Sequence, residues 1–297
     1  MVYLPDRLMA VESFGSPAVK SSRMAYRYVQ NDLGATYSPQ ATTMKLWSPV
    51  ARNVELVLFD NAISPAVSLN PMICDSNGIW SVTINSDLDG KYYLYEIKLQ
   101  GLKSGEPWQV NDPYARGCSA NSGRTLIYDP AKTDPEGWGH DQFVRLKNNV
   151  DAVLYEVHVR DFSININSGI AHRGKYLGMV ETGTKTLEGE HSGLDHLKEL
   201  GITHVHLLPV NDYAGGDERQ KVDQYTWYSW GYDPVLFNTP EGSYASDPDG
   251  TARQKEFKRM VQAFHQQQIG VILDVVFNHT ASTGRIFFAS CQQGLSA

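Results

Sequence analysis

The sequence has 297 residues, a formal net charge of −7 and 41% hydrophobic residues. This length is sufficient for two domains or for one α/β barrel, and the composition is typical of a globular protein. The negative charge argues against nucleic acid and anionic membranes as partners, because both attract basic surfaces. The three cysteines are odd in number and far apart, which argues against a disulfide framework and a cysteine-based zinc site.

The first residues of the chain bear on where the protein works. Asp6, Arg7 and Glu12 interrupt the apolar residues at the N-terminus, so this segment does not resemble a secretory signal. No later stretch has the length and apolar character of a membrane span. The sequence therefore predicts a cytoplasmic protein with no membrane partner.

The segment 42–102 has the pattern of short strands separated by turn residues. Alternating apolar and polar residues predict four strands, over 44–47, 53–59, 79–84 and 91–99. In the last strand four apolar residues share one face: Tyr93, Tyr95, Ile97 and Leu99. No helical period competes in this segment, so we predict a small antiparallel β-sandwich of roughly 100 residues.

From about residue 151 the pattern changes to alternating strands and helices. Apolar runs predict three strands, over 153–159, 203–208 and 270–277. Ser192 and Asp195 form a capping-box pattern at the start of a helix that ends at Gly201. A second helix is predicted over 251–268, where apolar residues recur with the helical period. This order predicts a parallel sheet covered by helices, either doubly wound or the start of a (β/α)8 barrel.

The segment 209–250, between the second strand and its helix, is predicted to be a long loop. It follows the carboxyl end of a strand, which is where ligands bind in both candidate folds. Loops of this length are more often functional than idle. Residues 225–232 include five aromatic side chains, which we interpret either as a stacking platform for a ligand or as an internal contact of the fold.

Asp274 and His279 are candidate functional residues of the third strand and the loop after it. An ionised carboxylate among the apolar neighbours of Asp274 costs on the order of several kcal/mol unless it is paired or faces a polar cavity. The alternatives are a binding role at the strand end and a purely stabilising pair with a basic residue. His279 follows five residues later and would line the same cavity.

Three motifs follow one another in the second half of the chain: LYEVHVRDFS at 154–163, YSWGYDP at 228–234 and DVVFNHT at 274–280. Together they resemble glycoside hydrolase family 13, specifically its type I pullulanase branch, with Ser229 in place of the more usual Asn. Upstream, the segments 34–59, 78–84, 90–97 and 110–116 resemble the carbohydrate-binding module of family 48 that precedes the barrel in these enzymes.

The resemblance implies an antiparallel β-sandwich followed by an incomplete (β/α)8 TIM barrel of about three β/α units. It divides the chain into four parts. These are an N-terminal extension (1–33), the family 48 module (34–130), a linker (131–150) and the N-terminal part of the family 13 catalytic barrel (151–297).

The resemblance also implies roles for three residues in substrate binding. Tyr232 matches the tyrosine that stacks on the glucose ring at the cleavage subsite. Asp274 matches the aspartate that supports the electrostatics of the active site, and His279 matches the histidine that hydrogen-bonds the same glucose. The implied partner is an α-glucan such as pullulan, glycogen or limit dextrin. No cofactor is implied, although Asn278 matches a calcium ligand of some α-amylases.

The bond-breaking residues of the family are not found in this sequence. A retaining glycosidase needs one carboxylate as nucleophile and one as acid/base. No segment here matches the family's nucleophile Asp or acid/base Glu, which we expect beyond residue 297. The residues after His279 do not resemble the family's continuation, which suggests a premature stop or a shifted reading frame. The chain alone is therefore expected to be inactive.

Two other functions stay open. The first is a non-catalytic α-glucan-binding module, with Trp47, Trp80 and Trp108 as candidate stacking residues. Core packing is the better interpretation for Trp47 and Trp80, since both lie in predicted strands. The second is part of an isoamylase or a glycogen branching enzyme, although the HVRDFS and WGYDP spellings favour pullulanase.

Overall fold

The computed structural model describes residues 28–99, 107–220 and 227–281. The predicted N-terminal extension up to residue 27 and the segment 282–297 lie outside the described residues. The expectation that the sequence departs from the family after His279 therefore falls mainly on residues that the structure does not describe.

In the described first half of the chain, nine strands form two antiparallel sheets. They are β1 (Gly34–Tyr37), β2 (Thr42–Trp47), β3 (Ala51–Phe59), β4 (Ala66–Pro71), β5 (Ile73–Cys74), β6 (Ile79–Ile84), β7 (Tyr92–Leu99), β8 (Trp108–Val110) and β9 (Thr125–Leu126). One sheet has the order β1-β2-β6-β5 and the other β4-β3-β7-β8, with β9 also paired to β7. Each of these pairings is antiparallel, so the predicted β-sandwich is confirmed.

The two sheets of this module bury a common apolar core. Alternate residues of β2 point into it, as a period of two predicts, with Met44 fully buried and Leu46 nearly so. Tyr93, Tyr95 and Ile97 of β7 fill the same core. The predicted apolar face of β7 is therefore the face that packs against the opposite sheet.

Two of the three tryptophans considered for sugar stacking pack in or against this core. Trp80 is nearly buried, and its indole N–H donates a hydrogen bond of 2.9 Å to the Ser48 carbonyl. Trp108 packs against the same core from β8, while Trp47 is half-buried at the end of β2. The core interpretation of Trp80 is thus confirmed, and Trp80 presents almost no surface to a ligand.

Three parallel strands form the sheet of the second half: β10 (Leu154–Val157), β11 (His204–Leu207) and β14 (Gly270–Leu273). Leu154 lies opposite His204, and His204 lies opposite Gly270. Helix α1 (Val159–Ser163) follows β10, α2 (Gly193–Leu200) precedes β11, and α3 (Ala252–Gln266) precedes β14. This alternation confirms the predicted parallel sheet and matches an incomplete (β/α)8 barrel.

The helices cover the sheet with the apolar faces that the sequence indicates. Leu197 of α2 and both Met260 and Phe264 of α3 are fully buried, and they pack in one core with Val205 and Leu207 of β11. In the parts of the chain that the structure describes, no helix is both long and apolar enough to cross a membrane.

The predicted capping box of α2 is wrong, although the helix begins and ends where expected. The Ser192 hydroxyl donates to the Ser168 carbonyl at 2.6 Å instead of capping the helix. The Asp195 carboxylate accepts from the backbone N–H of Gly183 at 2.5 Å. Both side chains therefore fasten the preceding loop to the helix, and Gly201 ends the helix with a φ of 70°.

The described parts of 209–250 contain two strands that the sequence did not predict. They are β12 (Asn211–Tyr213) and β13 (Pro234–Pro240), which pair antiparallel with two register shifts. β12 has only three residues, and β13, with seven, begins and ends with proline, which explains why the apolar pattern did not show them.

The module packs directly against β13 and α3. Ala115 and Cys118 form a small apolar cluster with Leu236 of β13. The Tyr92 hydroxyl accepts a hydrogen bond from the backbone N–H of Gly250 at 2.9 Å. These contacts join the sandwich to the segment that leads from β11 to β14.

The segment predicted as a linker also contacts α3. Lys258 Nζ donates to Thr133 Oγ1 at 2.7 Å, and His265 Nδ1 lies 2.7 Å from Asp141 Oδ2. At least these parts of 131–150 are thus held against the helix.

Candidate functional site

The carboxyl ends of β10, β11 and β14 lie side by side at one edge of the parallel sheet. Val157 pairs with Leu207, and Leu207 pairs with Leu273, so the three strands end at the same level. His158 and Asp274 directly follow the first and the third strand. Polar side chains therefore converge at this edge, which is where α/β barrels place their sites.

Tyr232, Asp274 and His279 meet at this edge. The Tyr232 hydroxyl donates a hydrogen bond of 2.5 Å to Asp274 Oδ2. His279 Nε2 lies 2.7 Å from the Tyr232 carbonyl oxygen, to which the ring N–H donates. The structure thus brings together all three residues that the sequence singled out, although they are up to 47 positions apart in the chain.

Asp274 lies just outside the strand rather than inside it. The predicted strand over 270–277 was too long, because β14 ends at Leu273. The Asp274 backbone N–H still donates to the Leu207 carbonyl at 2.9 Å, which continues the pairing by one residue. The carboxylate is half-buried, and it faces a tyrosine hydroxyl rather than the basic partner of the stabilising alternative.

The bond to Asp274 also raises the pKa of Tyr232. The hydrogen bond to the carboxylate, more than burial, raises the pKa of Tyr232 to about 12. Tyr232 is therefore a neutral donor near pH 7. Its ring is half-buried, so part of the ring surface remains open to a ligand.

The HVRDFS and YSWGYDP motifs contact each other, which no pattern in the sequence predicted. The Tyr228 hydroxyl donates to Asp161 Oδ2 at 2.9 Å, and Arg160 Nη1 donates to Asp161 Oδ1 at 3.0 Å. The Arg160 guanidinium lies 5.3 Å from the centre of the Tyr228 ring. The signal that could have found this contact is that each motif follows the carboxyl end of a neighbouring parallel strand.

His158 links the same two motifs from a buried position. Its Nδ1 accepts a hydrogen bond of 3.3 Å from the Asp161 backbone N–H, so the neutral ring carries its proton on Nε2. Nε2 lies 3.0 Å from the Ser229 carbonyl and 3.0 Å from the Tyr244 hydroxyl. Burial lowers the pKa of His158, which favours this neutral form.

The aromatic side chains of 227–232 divide between the interior and the surface. Trp227 packs edge-on against Tyr213, with ring centres 6.5 Å apart. Tyr228 and Trp230 are 47% and 62% exposed. Trp227 is therefore an internal contact of the fold, while Tyr228 and Trp230 face solvent. The stacking platform stays a prediction, and Tyr225 lies outside the described residues.

Ser229 fits the position that Asn more usually fills. Its Oγ accepts a hydrogen bond from the Gly231 backbone N–H at 3.1 Å, in a turn that Asn and Ser both favour. Gly231 has a φ of +89°, and a Cβ there would lie 2.7 Å from the Pro209 carbonyl oxygen. Glycine is thus required two residues after Ser229, while the serine itself keeps the turn.

A buried charged group lies between the module and the barrel sheet. Arg253 is fully buried and donates from Nη1 to Asp212 and from Nη2 to Glu218, each at 3.0 Å. Glu241 is also fully buried and accepts from the Tyr213 backbone N–H at 3.2 Å. No motif or period marked these residues, because their carboxylates come together only after β12 and β13 pair.

This group has one guanidinium for three carboxylates, whose oxygens lie within 4.8 Å of one another. Burial is the main cause that raises the pKa of Glu218 to about 9 and that of Glu241 to about 7. Arg253 supplies the positive charge that a metal ion would otherwise bring, so we assign no metal to the group.

Asn278, the candidate calcium ligand, lies at the sheet edge rather than in this buried group. It is exposed, and its Oδ1 lies 2.9 Å from Nδ1 of His279. Calcium takes roughly six to eight oxygen ligands, and the described surroundings of Asn278 do not identify such a set.

Two family models match the chain. The carbohydrate-binding module 48 (isoamylase N-terminal domain) matches residues 32–115, and the alpha amylase catalytic domain matches residues 157–296. The pullulanase of Bacillus subtilis (strain 168) is 41% identical over 85% of this chain. A crystal structure of the Paenibacillus barengoltzii pullulanase, in complex with maltohexaose and alpha-cyclodextrin, superposes with a TM-score of 0.86 at 40% identity. The chain is similar to the N-terminal part of a pullulanase.

The pullulanase relatives are longer than this chain. The chain covers 33% of the Bacillus subtilis protein and 32% of chloroplastic pullulanase 1 of Arabidopsis thaliana, which is 31% identical over 94% of the chain. The superposition with the Paenibacillus barengoltzii structure includes 94% of this chain but 42% of that structure. The Bacillus acidopullulyticus pullulanase superposes with a TM-score of 0.83 at 44% identity, and the match covers 89% of this chain but 32% of that structure.

The pullulanase family match also corrects one expectation. The alpha amylase model extends to residue 296, so it includes the segment after His279 that we expected to depart from the family. The pullulanase relatives further favour this branch over isoamylase and glycogen branching enzyme.

Proposed function

We propose that this chain binds α-glucan at the strand-end edge, as the first part of the catalytic domain of a debranching hydrolase. The observation that carries the proposal is the joined arrangement of Tyr232, Asp274 and His279. Each offers a group that a sugar can use: an aromatic face, a carboxylate acceptor and an imidazole. The three lie together at the edge where the parallel strands end, which is where this fold places its substrates.

The geometry supports positioning rather than bond cleavage. The Asp274 carboxylate fixes the Tyr232 hydroxyl, and the His279 ring fixes the Tyr232 backbone, so the aromatic ring is held from both ends. A ring that is already ordered loses little entropy when a glucose residue stacks on it. The trio therefore presents a preformed platform for one sugar.

We extend the proposal to the whole protein as a retaining hydrolase of α-1,6 links in pullulan, limit dextrin or glycogen. Retention needs a nucleophile and an acid/base carboxylate about 5–5.5 Å apart. Neither family segment was found in this sequence, so the chain alone is predicted to bind glucan without hydrolysing it. A cytoplasmic location and a reaction without a cofactor remain predictions that accompany this proposal.

Affinity electrophoresis tests the proposal with little material. The chain should migrate more slowly in a gel that contains glycogen or pullulan than in a gel without polysaccharide. The Asp274→Ala variant should lose most of this retardation, because the Tyr232 hydroxyl then has no carboxylate to orient it. A reducing-end assay with pullulan should show no turnover by the chain alone.

Two results would contradict the proposal. One is equal migration of the chain with and without polysaccharide. The other is release of reducing ends that Asp274→Ala abolishes, since it would show that the chain carries a complete catalytic centre.

A further inference from the structure

The HVRDFS motif has no part in the glucan platform proposed above, although it lies at the same edge of the sheet. It directly follows β10 and consists of His158 and the whole of α1, where His158 caps the helix by accepting from the Asp161 backbone N–H. We refer to residues 158–161 as the HVRD turn and to residues 227–232 as the aromatic segment.

The HVRD turn holds the aromatic segment by two separate bonds. His158 is buried, and its Nε2 lies 3.0 Å from the Ser229 carbonyl oxygen. Asp161 is partly exposed, and its carboxylate accepts a hydrogen bond of 2.9 Å from the Tyr228 hydroxyl. One bond fixes the backbone of the segment, and the other fixes a side chain, so both the path and the rotation of the segment are determined.

The consequence reaches Tyr232 because the chain between the contacts is short. Only Trp230 and Gly231 separate Ser229 from Tyr232, and Gly231 is packed against Pro209 in a conformation that favours glycine. The Tyr232 ring must then approach Asp274 from a set direction. A segment free at Ser229 would let the ring sample other orientations.

We infer that the HVRD turn positions the aromatic segment for glucan binding, with His158 and Asp161 acting through Tyr228, Ser229 and Tyr232. The inference rests on the proposed function for its ligand but not for its geometry. Asp161 is a positioning residue, because its carboxylate is engaged by Arg160 and Tyr228 rather than left for a sugar.

The test uses the full chain and substitutions at exposed positions, which the fold tolerates. Tyr228→Phe removes one hydroxyl and keeps the ring, and Asp161→Ala removes the acceptor. Asp161→Asn is the conservative variant, since its amide oxygen still accepts from the Tyr228 hydroxyl. The matched control is Tyr37→Phe, which breaks a similar tyrosine–aspartate bond of 2.8 Å to Asp87 on the module.

The first readout is amide hydrogen exchange near the aromatic segment. The reporter amides are those of Gly231, bonded to Ser229 Oγ at 3.1 Å, and Ala214, bonded to the Asp233 carbonyl at 2.9 Å. We expect about fivefold faster exchange in Tyr228→Phe and Asp161→Ala. Asp161→Asn and Tyr37→Phe should exchange at the rate of the unmodified chain. Thermal unfolding midpoints should stay unchanged, which separates local positioning from overall stability.

The second readout is affinity for maltotetraose, measured by titration calorimetry. Tyr228→Phe and Asp161→Ala should each weaken binding about fivefold, and the double variant should lose no more than either alone. In Asp161→Asn we expect the affinity of the unmodified chain, because the amide oxygen still accepts the hydrogen bond. If the charge of Asp161 mattered instead, Asp161→Asn would bind as weakly as Asp161→Ala.

The two readouts separate the two proposals. If the unmodified chain does not bind maltotetraose, the proposed function fails, and the exchange measurement alone decides the positioning. Faster exchange in Tyr228→Phe with recovery in Asp161→Asn supports the inference. Unchanged exchange in both Tyr228→Phe and Asp161→Ala overturns it, whatever the affinity for glucan.

Discussion

Arg253 offsets part of the negative charge buried between the module and the barrel. Its guanidinium contacts Asp212 and Glu218 at 3.0 Å, and none of its surface is exposed. Arg253→Met keeps much of the volume and removes the charge, which leaves buried carboxylates without their cation. We expect the free energy of unfolding in urea to fall by about 3–5 kcal/mol.

The matched control for this substitution is Arg219→Met. Arg219 Nη2 lies 3.2 Å from Asp249 Oδ2, and both side chains are partly exposed. An exposed pair of this kind contributes below about 1 kcal/mol. Equal losses at the two positions would contradict the view that Arg253 stabilises the junction by charge compensation.

The same group predicts how stability depends on pH. Burial raises the folded-state pKa of Glu218 to about 9, above the ordinary value for glutamate. A carboxyl with a raised pKa contributes stability at low pH, and the contribution is lost as the pH rises toward about 9. We expect Glu218→Gln, which cannot ionise, to flatten the decline in unfolding free energy from about pH 5 to about pH 9.

A control at an exposed glutamate makes this measurement specific. Glu188 is exposed, so Glu188→Gln should leave the pH dependence as it is in the unmodified chain. If Glu218→Gln leaves the slope of the unfolding free energy against pH unchanged, the carboxyl of Glu218 is already ionised in the folded protein.

At the scale of single residues, the sequence indicated candidate residues but not the residues that they contact. Asp274 and His279 were singled out from their place at the end of an apolar strand, and Tyr232 from a family motif; the structure brings the three within hydrogen-bonding distance. Asp212 and Glu218 were missed because their significance depends on a contact with Arg253, more than 30 positions away. Spacing along the chain gives no sign of such a contact.

The turn of the aromatic segment depends on Gly231. Its φ is +89°, and a Cβ would lie 2.7 Å from the Pro209 carbonyl oxygen. Gly231→Ala should therefore combine backbone strain of roughly 1–2 kcal/mol with a steric clash. We expect a lower free energy of unfolding and weaker retention in a glycogen gel, because the Tyr232 ring is displaced.

Gly90 is the control position that separates backbone strain from the steric clash. It has a φ of +79°, and no atom lies within 4 Å of the place that a Cβ would take. Gly90→Ala should thus show the backbone strain without the clash and without an effect on glucan retention. If Gly231→Ala lowers the free energy of unfolding no more than Gly90→Ala does and still binds glucan normally, the close approach to Pro209 is unimportant.

At the scale of elements, periodic segments were predicted well and irregular ones were not. The four predicted strands of the module, which correspond to β2, β3, β6 and β7, and the helix α3 follow apolar periods and contribute to the buried cores. The other strands of the module were not predicted. β12 has three residues, its pairing with β13 shifts register twice, and β13 begins and ends with proline, so no period of two develops. The capping box failed because Ser192 and Asp195 bond to the preceding loop instead.

For the whole molecule, the order of module and barrel follows from two kinds of periodicity and the family motifs. Their mode of packing does not, because it depends on side chains such as Cys118 and Leu236 that have no pattern of their own. Apolar side chains in or next to the outer strands of the barrel sheet are exposed: Leu154 by 55%, Val275 by 40% and Phe277 by 54%. In a parallel sheet such positions are normally covered by further strands or helices.

The claim that the strand-end edge binds α-glucan is tested most directly by titrating the chain with maltotetraose in a calorimeter. We predict binding that Tyr232→Ala weakens at least about tenfold. Trp47→Ala, in the half-buried tryptophan of the module, should leave the affinity unchanged. Loss of binding in Trp47→Ala with normal binding in Tyr232→Ala would place the glucan on the module and contradict the account.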